Sequence, residues 1–420
     1  MAPAPPDHPG STAKRDPPVV IPSRRSGRTL LRGRRPRDGA RRSRPAWLAL
    51  VGALVGGIAC NQSLTAALGF GPPGATATPA IAFGHRLRRV AVARASLAHA
   101  LGGWPARREQ PDDCLIVFGE RGQWLLGCEA LFARDGYVPT GERLEDQLVR
   151  WSPRSVVFNG TFRPYANVKA SLVGLTVRFS DDRTGADRSV LVLHDWEDLH
   201  RHNPPFRDEP LELWFASFVH ESFHAYQAGQ PRMATAPIRR DRKLAGPYDL
   251  AAFYLANTEF RAAVGAEYYR LRDSSLQVGG DRAAARTALA AWLDEFRARQ
   301  ARFAPALEAA LPGQQALPVE RFLLFHEGSA RYVEAKFLSD PAPEALAIRD
   351  EPDFRGFTAT RGRHPADIAG LGALGKHYYY ALGMYVCLLL DVADPDWKAR
   401  LFTDDDFLVA AVERAVAARP

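Results

Sequence analysis

Cysteine is scarce in this chain: four residues among 420, at positions 60, 114, 128 and 387. No two stand two residues apart, which speaks against a zinc site built from thiolates. Long apolar runs are also missing. The run Trp47–Ala59 is thirteen residues of apolar or small character, too short to cross a bilayer comfortably. Outside the N-terminal tail there is no excess of one charge. The formal net charge is +8, but residues 1–45 hold twelve Lys/Arg against three acids. Residues 46–420 are left at −1, so the folded part carries no electrostatic footprint for nucleic acid. No internal repeat is present, which excludes a solenoid.

What is present divides the chain into five stretches. Residues 1–45 are rich in Pro, Arg and Gly without apolar periodicity and read as a disordered basic tail. Residues 46–60 have a basic flank, a short apolar core and a small residue at the end, the pattern of a signal peptide. The Ile58-Ala59-Cys60 ending resembles a bacterial lipobox, which implies lipidation of Cys60 and membrane attachment. Two alternatives stay open: another cleaved signal, with Arg41-Arg42 as a twin-arginine pair, or an uncleaved anchor running to about Phe70. All three place the remainder outside the cytoplasm, secreted, periplasmic or membrane-anchored. Residues 61–79, rich in Gly, Pro, Ala and Thr, read as a linker.

The next two stretches differ in period. Residues 80–208 form a β-rich lobe. It opens with an amphipathic helix over 80–101, followed by strands at 114–119, 123–129, 155–161, 173–179 and 189–194. Cys114 and Cys128 flank a hairpin whose turn holds Glu120-Arg121-Gly122, and an exported chain can bond them. Asp181–Gly185 marks a second hairpin turn, and a helix is expected near 140–151. Residues 209–420 are helical, with periods at 209–228, 248–272, 282–303, 317–338, 375–392 and 404–418. Asp208 and Pro210 start the first of these; Gly229 and Pro231 end it. A β-rich lobe followed by a helical one is the α+β class.

Within 209–228 lies His220-Glu221-Ser222-Phe223-His224. Helical positions four apart share a face, so the two imidazoles can point at one metal ion. Glu221 is then free to take a proton from a water that the metal has acidified. The surrounding residues Leu211, Trp214, Phe215, Phe218 and Val219 bury the helix, and buried histidines without partners would be costly. Zn2+ is the expected ion. It requires a third protein ligand, for which Glu259, Glu267, His326 and Glu327 are the candidates.

The run Phe325-His326-Glu327-Gly328-Ser329-Ala330-Arg331-Tyr332 resembles the Asn-Glu-Gly-x-Ala signature of gluzincin metallopeptidases. That resemblance implies Glu327 as the third ligand and a zincin-like catalytic lobe. Glu334, seven residues on, would share its helix face. Tyr380-Ala-Leu-Gly383 resembles a second gluzincin helix, in which the tyrosine hydroxyl steadies the oxyanion; Tyr380 takes that role by position, with Tyr378, Tyr379 and His377 as neighbours able to compete for it. The resemblance covers three short motifs within 211–392 and not the β-rich lobe.

Together these readings imply a zinc metallopeptidase acting on a peptide or protein substrate, with Glu221 as general base. The chain departs from aminopeptidases in two ways. His224 and Glu327 are 103 residues apart, and no Gly-x-Met-Glu-Asn element is present to hold a substrate amino terminus. An inactive binding protein on the same scaffold, or a zinc hydrolase of a non-peptide bond, remains as an alternative.

Overall fold

The computed structural model describes residues 82–105, 114–119, 121–127, 137–153, 174–180, 187–202, 207–235, 247–357, 377–403 and 406–418. All of them belong to one compact unit, Ala46–Pro420. The tail, signal segment and linker expected over 1–79, with Cys60, and also Cys128 and the strand expected at 155–161, lie outside the described residues. The fold is mixed α and β, with the strands in the N-terminal part and helices through the rest.

Among the described residues, six strands make one sheet: β1 (Cys114–Gly119), β2 (Gly122–Leu126), β3 (Val138–Leu144), β4 (Gln147–Ser152), β5 (Gly174–Ser180) and β6 (Asp187–His194), in the order β3-β4-β2-β1-β6-β5. The expected β1–β2 and β5–β6 hairpins are present as antiparallel pairs. β1 runs parallel to β6, with Phe118 opposite His194. β1 is central and buried along its whole length, which is why Cys-Leu-Ile-Val-Phe reads as a continuous apolar run rather than an alternation. Cys114 is disulfide-bonded to a partner outside the described residues; Cys387 is a buried free thiol.

The stretch 140–151 is not a helix but the β3–β4 hairpin. Its turn has Glu145 at φ 55, a left-handed conformation that two-residue hairpin loops require and that Gly or Asn usually supplies. A Glu at that place carries no turn signal, and Leu144, Leu148 and Trp151 happen to fit a helical spacing.

The amphipathic N-terminal helix is present as α1 (Arg86–Ala100). Arg86 makes two hydrogen bonds to Asp195, at 2.9 and 2.6 Å, and Arg89 pairs with Glu197 and Glu351. α2 (Trp196–His202) continues directly from β6. Then come α3 (Glu212–Ala228), α4 (Pro231–Thr235), α5 (Pro247–Ala256), α6 (Thr258–Gln277), α7 (Arg282–Ala310), α8 (Ala316–Ser339), a 3-10 segment (Pro343–Ile348), α9 (Tyr378–Ala393), α10 (Trp397–Arg400) and α11 (Phe407–Ala417). The helical period read over 248–272 is two helices, not one. Asn257 breaks it with an extended backbone and caps α6, its Oδ1 accepting from Phe260 N at 2.9 Å.

α3 links the two parts. It packs on β5, β6 and α8, and Trp214 Nε1 donates to the His194 carbonyl at 2.7 Å. Sheet and helices share one apolar core.

Candidate metal centre

α3 is buried on nearly every side. Within it only Leu213, Ser217 and Glu221 are less than fully buried. They are spaced i, i+4, i+8, so they form one stripe. Glu221 ends that stripe, and His220 and His224 lie beside it under cover. Phe223 and Tyr226 point away from it, about 140–200° round the helix from Glu221 at 100° per residue. There they meet Trp104, at ring-centroid distances of 4.8 and 6.1 Å. Trp104, after α1, therefore packs on the side of α3 away from Glu221.

α8 lies against α3 and presents Glu327 and Glu334 to it. Glu327 Oε2 stands 3.2 Å from His224 Nε2 and 3.5 Å from His220 Nε2. The three residues are 6–8% exposed, and one ligand atom from each falls within 4.8 Å of the others. The remaining ring nitrogens are occupied. His220 Nδ1 faces Glu334 Oε2 at 3.3 Å, and Arg331 in turn pairs with Glu334 at 2.6 and 2.8 Å. His224 Nδ1 lies 2.8 Å from Gln227 Oε1. The Gln227 amide is oriented by its own donors: Nε2 gives hydrogen bonds to the His326 carbonyl at 3.0 Å and Ser329 Oγ at 2.9 Å. Its Oε1 can only accept, so His224 carries a proton on Nδ1. Both imidazoles are thus held with Nε2 turned toward the Glu327 carboxylate.

The electrostatics match this geometry. Burial opposes charge on His220, but Glu327 and Glu334 override it and push the imidazole up to about 10. Burial likewise works against ionisation of Glu327, yet His224, His220 and His326 hold its carboxyl well below the usual range. The pocket therefore favours a positive charge between the two imidazoles and the carboxylate. His326 behaves oppositely: burial, with His224 beside it, lowers it to about 4 and keeps it neutral.

A metal ion fits this donor set. Ligand atoms about 2.0–2.2 Å from a tetrahedral ion stand roughly 3.3 Å apart; Glu327 Oε2 stands 3.2 and 3.5 Å from the two Nε2 atoms, and the three ligand atoms lie within 4.8 Å of one another. Glu327 Oε2 is buried and, with both imidazoles within ion-pair distance, makes no hydrogen bond of good geometry to them, an arrangement that a shared cation would satisfy better. Two imidazole nitrogens and one carboxylate oxygen suit zinc.

The other third-ligand candidates are spoken for elsewhere. Glu259 pairs with Arg302 on the surface at 2.6 Å. Glu267 binds Arg299 in a buried cluster, where Arg299 also reaches Glu320 at 2.7 Å and Tyr378 donates to Glu320. His326 is adjacent but turns Nδ1 to Glu327 Oε1, at 3.3 Å.

α9 brings the tyrosines in. It crosses α8 at Gly328 and Gly383, where a Cβ on either glycine would run into the backbone of the other helix. Tyr380, one turn before Gly383, lies over His220, rings nearly parallel at 5.7 Å and 12°. Burial and the Glu327 carboxylate push its hydroxyl well above the ordinary range, keeping it a neutral donor. Tyr379 is hydrogen-bonded to His377 Nδ1 at 2.9 Å, and Tyr378 is taken up by Glu320, so of the three only Tyr380 rims the cluster. The structure thus gathers His220, Glu221, His224, Glu327 and Tyr380. Gln227 was not anticipated: its position three residues after His224 is the one sequence signal for its contact.

Comparison with known families, with curated proteins and with solved structures gives no match to this chain.

Proposed function

We propose that this chain is a zinc-dependent hydrolase of the zincin type, acting on peptide bonds. The observation supporting that reading is the convergence of the buried Glu327 Oε2 and both Nε2 atoms on one point. His220, His224 and Glu327 would hold the ion. When bound, zinc supplies Lewis acidity, polarising the scissile carbonyl and bringing water's pKa near neutrality. Glu221, on the accessible stripe of α3, accepts the proton of the attacking water and returns it to the leaving amine. The Tyr380 hydroxyl donates to the developing oxyanion. Glu334 and Gln227 keep the Nδ1 protons in place, so the rings do not turn. The HESFH, EGSARY and YALG motifs support peptide as the substrate, and the run at 46–60 supports export, with substrates met outside the cytoplasm.

Metal analysis of the purified chain should find about one zinc per molecule, and chelation should abolish hydrolysis of a quenched-fluorescence peptide library. His220→Ala and Glu327→Ala should lose the zinc. Glu221→Gln should keep it while turnover falls by about 10²–10⁴-fold. A chain that purifies without zinc, takes none up, and behaves identically after His220→Ala overturns the proposal.

A further inference from the structure

Glu327 has two carboxylate oxygens, and they live in different surroundings. Oε2 faces the two imidazoles and makes no hydrogen bond of good geometry to them. Oε1 lies 3.3 Å from His326 Nδ1. An ionised carboxylate only accepts, so the proton in that contact sits on His326. The His326 ring has little freedom to leave. One neighbour is Phe322, a turn earlier on α8, with ring centroids 5.2 Å apart at 21°. The other is His224, at 4.1 Å and 8°. Stacking on both fixes the ring plane, and its Nδ1 edge then meets the carboxylate next to it in sequence.

We infer that His326 is a positioning residue that engages Glu327 Oε1 and so leaves Oε2 as the one oxygen offered to the metal. This rests on the metal reading above. A carboxylate free to offer both oxygens would take up an additional coordination position, whereas a catalytic zinc with three protein ligands needs its fourth place open to water. The chain sets a stacked ring donor against one oxygen, and that decides the ligand atom.

Two substitutions separate the donated proton from the stacked ring. His326→Phe keeps a ring between Phe322 and His224 but has no donor. His326→Asn keeps an N–H near the place of Nδ1 and removes the ring. Zinc affinity is read by chelator competition. Coordination is read from the visible absorption of the Co2+-substituted chain, which is stronger for four ligands than for five or six. His326→Phe should bind zinc about 10–100-fold more weakly and give a weaker Co2+ band, while His326→Asn stays near wild type in both. His326→Leu, also without a donor, takes the place of His326→Phe if thermal melting shows that the latter fails to fold. Wild-type affinity and an unchanged band in the donor-less variants overturn the inference and leave the metal reading standing. Equal losses in His326→Asn and His326→Phe overturn it too, since the ring and not the proton would then be responsible. A wild-type chain that binds neither ion overturns the metal reading itself, and this inference with it.

Discussion

Single side chains at this centre act in pairs. Each of the two α3 imidazoles is fixed at Nδ1 by one polar partner and covered on one face by one ring: Glu334 and Tyr380 for His220, Gln227 and His326 for His224. The spacing of His220 and His224 was legible in the sequence because two positions four apart share a helix face whatever the tertiary fold. Glu327 was legible only through a resemblance, because nothing local says which of several acids will return to α3. The partners of Nδ1 were less legible still, Gln227 above all, since its amide is oriented by Ser329 and a carbonyl on another helix. The three consecutive tyrosines illustrate the same limit. Sequence makes them equal, while packing gives Tyr378 to Glu320, Tyr379 to His377 and Tyr380 to the site. Tyr380→Phe should therefore lower kcat by about 10²–10³-fold with zinc content unchanged. Tyr378→Phe should leave turnover intact and cost about 1–3 kcal/mol of stability, because it strips a donor from a buried carboxylate. Full turnover in Tyr380→Phe, measured on the same peptide, would remove it from the mechanism.

Helices α8 and α9 show how elements set distances. Their backbones touch at Gly328 and Gly383, directly after Glu327 and one turn after Tyr380. A methyl group on Gly383 would strike the Leu324 carbonyl and Gly328, both backbone, with no flexible side chain to give way. Gly383→Ala should destabilise by at least the 1–3 kcal/mol typical of overpacking and move Tyr380 off His220. Denaturant unfolding reads the first effect. The second appears as lost kcat with metal retained, and a variant of wild-type stability would show that the crossing is looser than described. Elements were legible where the period and the end signals agreed, as in α3 between Pro210 and Gly229. They were not where a turn was made by an unusual residue. Glu145 at positive φ hid the β3–β4 hairpin, and Asn257 split one apparent helix into α5 and α6 through a cap that the sequence does contain.

At the scale of the molecule, the helical part is tied through a buried charge cluster rather than apolar contact alone. Arg299 on α7 bridges Glu267 on α6 and Glu320 on α8, and Gln300 donates to Glu320 at 3.0 Å. Two carboxylates depend on one guanidinium there, all three side chains at most 4% exposed. Arg299→Met should cost about 3–5 kcal/mol, because it leaves both acids buried without a cation. Adding Glu267→Gln and Glu320→Gln should recover a large part of that loss in thermal melts, and no recovery would show that the packing of Arg299, not its charge, is what matters. The general class, mixed α and β with the strands first, was legible from the change in period near residue 208. The sheet order was not, since β1 and β6 pair across a long stretch of chain whose local sequence says nothing about partners.

That parallel pairing has a consequence for how quickly the chain reaches its native state. β1 and β2 can zip locally on a microsecond scale, but β1 and β6 meet only after a long loop closes, and such non-local pairing slows folding. α3 leaves the sheet just beyond β6 and is oriented by the bond from Trp214 to His194. His220 and His224 therefore acquire their direction only once the slowest strand has docked, and Glu327 must arrive from further still along the chain. On the zinc reading, metal uptake by a newly made chain should therefore wait on a strand pairing that lies outside the ligand set.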